Sequence, residues 1–409
     1  MLNIIWMAFF LIAFLVALFK LIVLGDQAIF GQLMEAMFAL SKTAFEISLG
    51  LTGILALWLG IMKIGEYSGF VSLLTRCLTP LFRRLMPEVP SNHPALGSMV
   101  MNISANALGL DNAATPLGIK AMKELQSLNP FKDTASNAQI LFLVINTSAV
   151  TLFPVTIFTY RAQLGAANPT DVFIPILLAT YMSTFIGLLS VAWVQKINLL
   201  DRVILAYLGG FTLLIVTLLG YFASLSQQDM LVQSAMISNI ILFSLVVVFI
   251  AAAAIKKINA YDAFIEGAKE GFQTAIHIIP YLVAMLVAIG VFRASGALDL
   301  LFDGLRSLVL SLGFDDRFID AMPTALMKPF SGSGARAMMV DTMQAHGADS
   351  FAGRLSSIVQ GSTETTFYVL AVYFGAVGIK NIRHALGCGL LADAAGIIAA
   401  ITVAYWFFG

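Results

Sequence analysis

The chain has 409 residues, 59% of them hydrophobic and only 11% charged, with 23 basic against 23 acidic side chains. A soluble domain carries about 25% charged residues, so this composition excludes a soluble globular protein and indicates an integral membrane protein. Zero net charge supplies neither a basic surface for nucleic acid nor an acidic one for a basic partner.

A spanning helix needs about 20 mostly apolar residues. In chain order, segments 3–25, 46–65, 138–159, 172–195, 203–225, 233–255, 274–293, 353–377 and 385–408 meet or approach that requirement. The first is too long for a secretory h-region and has no Lys or Arg before it, so it reads as a retained helix. Stretches 26–44 and 257–273 scatter charge over an apolar background and read as helices lying along the interface. Regions 95–125 and 319–345 are apolar enough to enter the membrane but are interrupted by polar or Gly-rich sequence. The expected fold is an all-α polytopic membrane protein with about nine transmembrane helices and two interrupted re-entrant hairpins. Lys and Arg placement puts the N-terminus inside and the C-terminus outside.

The two halves share an order of features. YSGFVSLL (67–74) is similar to ASGALDLL (294–301), each leads into an interrupted hairpin, and NTSAVTLFPV (146–155) falls opposite QGSTETTFYV (360–369). The expected units are 1–200 and 232–409, joined by a connecting helix at 201–231. Each unit crosses the membrane an even number of times. The extra span therefore turns the second unit over, giving an inverted-topology repeat, a plan common in secondary transporters.

The polar sequence lies in the interruptions. NISANALGLDNAATPLG (102–118) places Asn102, Asn106, Asp111, Asn112 and Thr115 between apolar flanks. Thr115-Pro116 reads as a helix start, after an unwound turn that membrane depth allows only against protein or water. A cytoplasmic Asn-rich loop is the competing reading. In the second hairpin, MKPFSGSGARAMMVDTM (327–343), the run Ser331-Gly-Ser333-Gly reads as a tight tip, because glycine permits close backbone approach and positive φ. Lys328, Arg336 and Asp341 follow closely. Each charge costs roughly 2.5–3.5 kcal/mol at the bilayer centre unless paired or wet, so the hairpin implies an aqueous cavity or mutual pairing; snorkelling to the interface is the alternative.

VQGSTETTFYV (359–369) sets Glu364 among Gln360, Ser362, Thr363 and Thr365 inside an apolar span, which suits a helix that breaks mid-membrane and offers oxygens to an ion or a polar solute. Its counterpart carries Asn146, Thr147, Ser148 and Thr151 but no acid, and Pro154 is positioned to kink it. Asp393 is another acid in an apolar run, read either as a helix–helix hydrogen bond or as a coupling group. The four histidines and two cysteines form no metal-ligand spacing, no P-loop is present, and no nucleophile–base pair occurs at useful spacing. No cofactor and no enzymatic activity are expected.

At these strings the chain resembles two bacterial membrane families. The first half, with MNISANALGLDNAATPLGIKAM, is similar to spore maturation protein A; the second, with KPFSGSGARAMMVDTM and GSTETTFYVLAVYFGAVGIK, is similar to spore maturation protein B. Both belong to the nucleoside-recognition (Gate) group, which is similar to concentrative nucleoside transporters and to the membrane part of ferrous iron transport protein B. The STET run resembles the Gln-Thr-Glu turn of nucleoside transporters; their Asn-Glu-Phe motif has no counterpart here, which puts a nucleoside substrate in doubt.

The resulting expectation is a secondary active carrier of a small polar or anionic solute, working by elevator-type alternating access. Its solute site would draw on Asn102, Asn106, Asp111, Asn112, Thr115, Asn146, Thr147, Ser148, Thr151, Ser331, Ser333, Arg336, Gln360, Ser362, Thr363 and Thr365. Glu364, Asp341 and Asp393 are the candidates for coupling to H⁺ or Na⁺, and the carrier is expected to be a homo-oligomer in the bilayer. A non-transporting membrane assembly factor for envelope or spore maturation is the alternative.

Overall fold

The computed structural model describes residues 2–108, 111–148 and 151–409, with backbone alone at 2 and 111–113. Asp111 and Asn112, both expected at the site, therefore have side chains outside the described residues. The described secondary structure is helical apart from one isolated bridge between Thr134 and Asn381.

One order of elements occurs twice. In the first half, α1 (Leu2–Val23) and the long α2 (Ile29–Tyr67) precede α3 (Phe70–Leu85). There follow a hairpin of α4 (Pro94–Ala107) and α5 (Asp111–Leu128), the short α6 (Asn137–Thr147) and α7 (Val155–Gln163), and α8 (Phe173–Gln195). Helix α9 (Arg202–Ala223) then leads to the second set. There α10 (Gln227–Ile255) and the long α11 (Ala260–Ala294) precede α12 (Ala297–Ser311). A hairpin of α13 (Met322–Met327) and α14 (Gly332–His346), the short α15 (Phe351–Ser362) and α16 (Thr366–Gly375), and α17 (Ala385–Phe408) complete it. Among the described residues, seven helices are long and apolar enough to cross a membrane: α1, α2, α8, α9, α10, α11 and α17.

The two expected spans outside that set, 138–159 and 353–377, are each split into two short helices. Their break residues explain the split. Pro154 caps α7 and has no N–H to continue a helix from α6. In the second half Thr363 is extended at φ −145°, ψ 170°, and Thr365 caps α16.

Stretches 26–44 and 257–273 are not separate interfacial helices. Each runs without interruption into the span after it, forming α2 and α11, which pack against one another as the most extensive helix pair in the molecule. Glycines allow this close approach: a Cβ on Gly267 would stand 2.3 Å from the Leu59 carbonyl oxygen, and one on Gly271 2.6 Å from Ala56 Cα. Two of the charges in 257–273 find a partner across the pair: Glu266 and Glu270 lie 3.6 and 3.2 Å from Lys63, which also lies 3.3 Å from Glu66 on its own helix.

Two Ser-Gly corners turn the chain off these helices. Gly69 and Gly296 have φ of +78° and +82°, which glycine adopts without a Cβ penalty. Ser68 and Ser295 donate back to the carbonyls of Ile64 and Phe292.

Two other local expectations change. Helix α5 begins at Asp111, so Thr115-Pro116 is not its start; Pro116 sits in its second turn on an exposed face. Gly332 and Gly334 do not use positive φ. They open α14 and serve instead as points of close approach, with Thr365 Oγ1 2.9 Å from where a Gly332 Cβ would lie.

Candidate solute and ion site

The two helix breaks meet. The Glu364 N–H donates to the Thr147 carbonyl at 2.8 Å, joining the end of α6 to the extended residues between α15 and α16. Each break is also tied to the hairpin of its own half: Leu152 N–H donates to Ala107 O at 2.9 Å, and Phe367 N–H to Pro329 O at 2.9 Å. Phe330 stacks on Phe367 with ring centroids 5.0 Å apart. These bonds satisfy backbone groups that the broken helices leave open, the condition for irregular chain inside an apolar bundle.

Two cavities adjoin this crossing. A small chamber of about 90 Å³, room for a few waters, is lined by Thr151, Tyr160, Lys328, Arg336, Gln360, Thr363 and Glu364 among others. The second, of about 770 Å³, runs from Lys63, Glu66 and Glu270 past Gln273, Thr274 and His277 to Tyr281, Ser333, Arg336 and Tyr368. Its volume lies within the ~300–1,000 Å³ of small-molecule sites, and along α11 its lining from Glu270 to Leu282 extends about 18 Å. Arg336 lines both.

The chamber is lined by buried polar side chains: Tyr160 beside the Arg336 guanidinium, Thr363, and Gln360, whose Oε1 has no hydrogen-bond partner. Tyr160 is only 1% exposed, and the Arg336 guanidinium lies 5.9 Å from its ring centre. Lys328, 3% exposed, donates to the Gln360 carbonyl at 2.7 Å. With Lys328 and Arg336 against Glu364, the charged lining of the chamber carries one net positive charge.

The expected residues distribute unevenly around it. Thr151, Arg336, Gln360, Thr363 and Glu364 line the small chamber, and Ser333 the large one. Ser331 caps α14, its hydroxyl accepting from the Gly334 N–H at 3.0 Å. Asn106 donates to Asn146 Oδ1 at 2.8 Å, and Asn146 to the Phe142 carbonyl at 2.9 Å. Thr147, Ser148 and Ser362 return their hydroxyls to their own helices. Asn102 is buried against the Ala114 carbonyl and the Tyr373 hydroxyl. Thr115 is half-buried on α5, and Thr365 is buried beside Gly332. Asp341 pairs with Arg293 and lines neither cavity. Asp393, 2% exposed on α17, lies behind the second break.

Asn106 therefore reaches the crossing through Asn146 and is not in the lining that Glu364 shares. Sequence reasoning also missed Tyr160 and the whole α2–α11 wall. No local pattern marks a tyrosine that only the turn of α7 brings to Arg336. Arg161 escaped sequence reasoning as well. Fully buried, Arg161 bonds Asp171 at 2.8 Å and Asp349 at 3.2 Å, while Arg354 bonds Asp171 at 2.9 Å. This network ties α7 and the start of α8 to the α14–α15 connection.

The Gate family, described as nucleoside recognition, matches residues 48–164 and 275–380, more than half of the chain. The chain belongs to the Gate family. Both Gate stretches cover corresponding elements: the latter part of a long helix, the Ser-Gly corner, the hairpin and both pieces of the broken helix. Spore maturation protein B of Bacillus subtilis (strain 168) is 52% identical over 155 residues, covering 38% of this chain and 85% of that protein. Spore maturation protein A of the same organism is 40% identical over 183 residues, covering 45% of this chain and 90% of that protein. The two relatives match different parts of the chain.

Proposed function

We propose that this Gate protein is a secondary active carrier for a small anionic solute, coupled to an ion gradient and working by alternating access. The observation that carries the reading is the set of buried polar and charged side chains around the small chamber, next to a cavity of solute size. A buried acceptor without a partner costs about 1–3 kcal/mol, so the open Gln360 Oε1 beside Lys328 and Arg336 fits a site whose remaining partner comes from a ligand. Net positive charge and the Arg336 fork favour an anion.

The duplicated order of elements supports two mutually inverted repeats whose hairpins re-enter from opposite faces. Lys256 Nζ lies beside the Gly69 corner, next to the Lys63 end of the large cavity, and Arg76, Arg83, Arg84, Lys196, Arg202 and Lys257 fall on the same side by the parity of the spans. By the positive-inside rule that end faces the cytoplasm, with the N-terminus inside and the C-terminus outside. The structure then reads as an inward-open form, sealed outside by the Arg161–Asp171–Asp349–Arg354 network. Hairpin α13–α14 and the second break would move as a unit against the α2–α11 wall, in a carrier that self-associates in the inner membrane.

The test is a thermal-shift screen of the purified protein with inorganic phosphate, small carboxylates, amino acids and nucleosides, followed by flux of any hit into proteoliposomes. A native-state ligand raises apparent stability. An anion that stabilises the protein and is taken up under an ion gradient supports the reading. Stabilisation by nucleosides alone contradicts the anion assignment, and absence of flux for every stabilising compound contradicts the carrier. The names of the two relatives support the second reading, a membrane assembly factor in spore maturation, which predicts partner binding that survives Ser333→Ala and Asn106→Ala without solute flux.

A further inference from the structure

Asp393 is an acid buried at 2% exposure in the apolar helix α17. Gly389, Asp393 and Gly396 share one face of α17. A Cβ on Gly389 would meet Thr366 Cγ2 at 2.8 Å, and one on Gly396 would meet Thr363 Cγ2 at 2.6 Å. Asp393 thus stands between two buried threonines, Thr363 and Thr366, at the ends of the extended break, and these are the hydroxyl side chains that reach its carboxyl group. The other packed elements bring Ser183 of α8, which donates to the Ala392 carbonyl at 2.9 Å, and Thr147 of α6 beside Gly389. The charged groups facing Asp393 are Lys328 of the second hairpin and Glu364 of the break.

A carboxylate buried in an apolar span is costly to keep ionised, and a proton removes that cost. We infer that Asp393 is a dissociable proton site behind the second break, and that the proton is the ion this carrier couples to. The inference rests on the carrier reading only for the word couples; the site itself is a separate property. The Lys328 ammonium among the neighbours opposes a metal cation in the same pocket, whereas a proton removes charge.

On release, the carboxyl O–H bond breaks, its electron pair stays on the carboxylate, and the proton passes to water in the small chamber that Thr363 and Glu364 line. The carboxylate then draws the Thr363 and Thr366 hydroxyls as donors. Because these residues sit at both ends of the break, the charge of Asp393 is read directly by the segment that holds Thr147 and the chamber. The protonated state leaves the break as it stands here; the ionised state pulls it toward α17.

The experiment is infrared spectroscopy of the purified full-length protein in lipid, following the carbonyl stretch of protonated carboxyl groups through a pH titration in choline chloride and in sodium chloride. The expected result is a band at pH 6 that disappears reversibly at alkaline pH, is unaffected by sodium, persists in Glu364→Gln and Asp341→Asn, and is absent from Asp393→Asn. Carbon-13 labelling of aspartate carboxyls in the unmutated protein should lower the band's frequency, which keeps the assignment testable if Asp393→Asn does not fold. A missing band at pH 6, a band that remains in Asp393→Asn, or one that ignores aspartate labelling overturns the inference. Loss of the band on adding sodium at constant pH overturns it in favour of a sodium site. None of these outcomes depends on the solute, so a failed flux assay and a failed proton site remain distinguishable.

Discussion

The two helix breaks have one architecture and opposite chemistry. Around the first, among the described residues, uncharged side chains bond one another and their own helices: Asn106 bonds Asn146, Asn146 bonds its own helix, and Thr147 and Ser148 bond the Val144 carbonyl. Around the second, charged groups gather: Lys328 and Glu364 line the chamber with Gln360, whose Oε1 has no partner, and Asp393 is buried behind them. A closed hydrogen-bond set rigidifies its surroundings, and an open one is stable only when something else completes it. On the carrier reading, the first break is the fixed frame and the second the side that receives ligand.

Substitutions can break this comparison if it is wrong. The largest effect is expected for Arg336→Gln. Losing a charge-assisted contact of about 1.5–3 kcal/mol should weaken binding of a stabilising anion roughly 10- to 100-fold, read as a reduced thermal shift, with the ligand-free unfolding midpoint nearly unchanged. An unchanged shift would remove Arg336 from the site. Next comes Asn146→Ala, which strands the Asn106 amide at the first break. It should cost about 1–3 kcal/mol of stability, measured by denaturation in detergent, and equal loss of stability from Gln360→Ala would erase the proposed asymmetry. Gly332→Ala should follow. Its new Cβ meets Thr365 Oγ1 at 2.9 Å, so slowed flux with stability down by no more than about 1–3 kcal/mol is expected. The smallest effect is Thr363→Val, which removes a hydroxyl beside Asp393 at nearly constant volume. Stability should move by less than about 1 kcal/mol while the pH dependence of flux shifts; a large loss of stability would mean that the hydroxyl is structurally engaged.

Much of this layout was legible in the chain. Length and apolarity gave the seven long spans, and the hydroxyl-rich run around Glu364 gave the break, because a Gly and several hydroxyls in an apolar segment conflict with a lipid-facing helix. What escaped depended on partners distant in sequence. Glu266 and Glu270 read as interfacial charge because their partner, Lys63, lies some two hundred positions away. Tyr160 and Arg161 looked ordinary because only tertiary packing brings them to Arg336, Asp171 and Asp349. Pro116 misled because a proline in a second turn carries the same local signature as one at a helix start.

The central claim is that the second break and its hairpin face a chamber that opens to alternate sides. Its most direct test is the labelling of Ser333→Cys, in a background with Cys77 and Cys388 replaced, by a membrane-impermeant thiol reagent applied to oriented vesicles. The account predicts rapid labelling from the cytoplasmic side, slowed by a stabilising anion, with labelling from the outside appearing when an ion gradient drives turnover. Labelling confined to one side at a rate that neither anion nor gradient alters would contradict it.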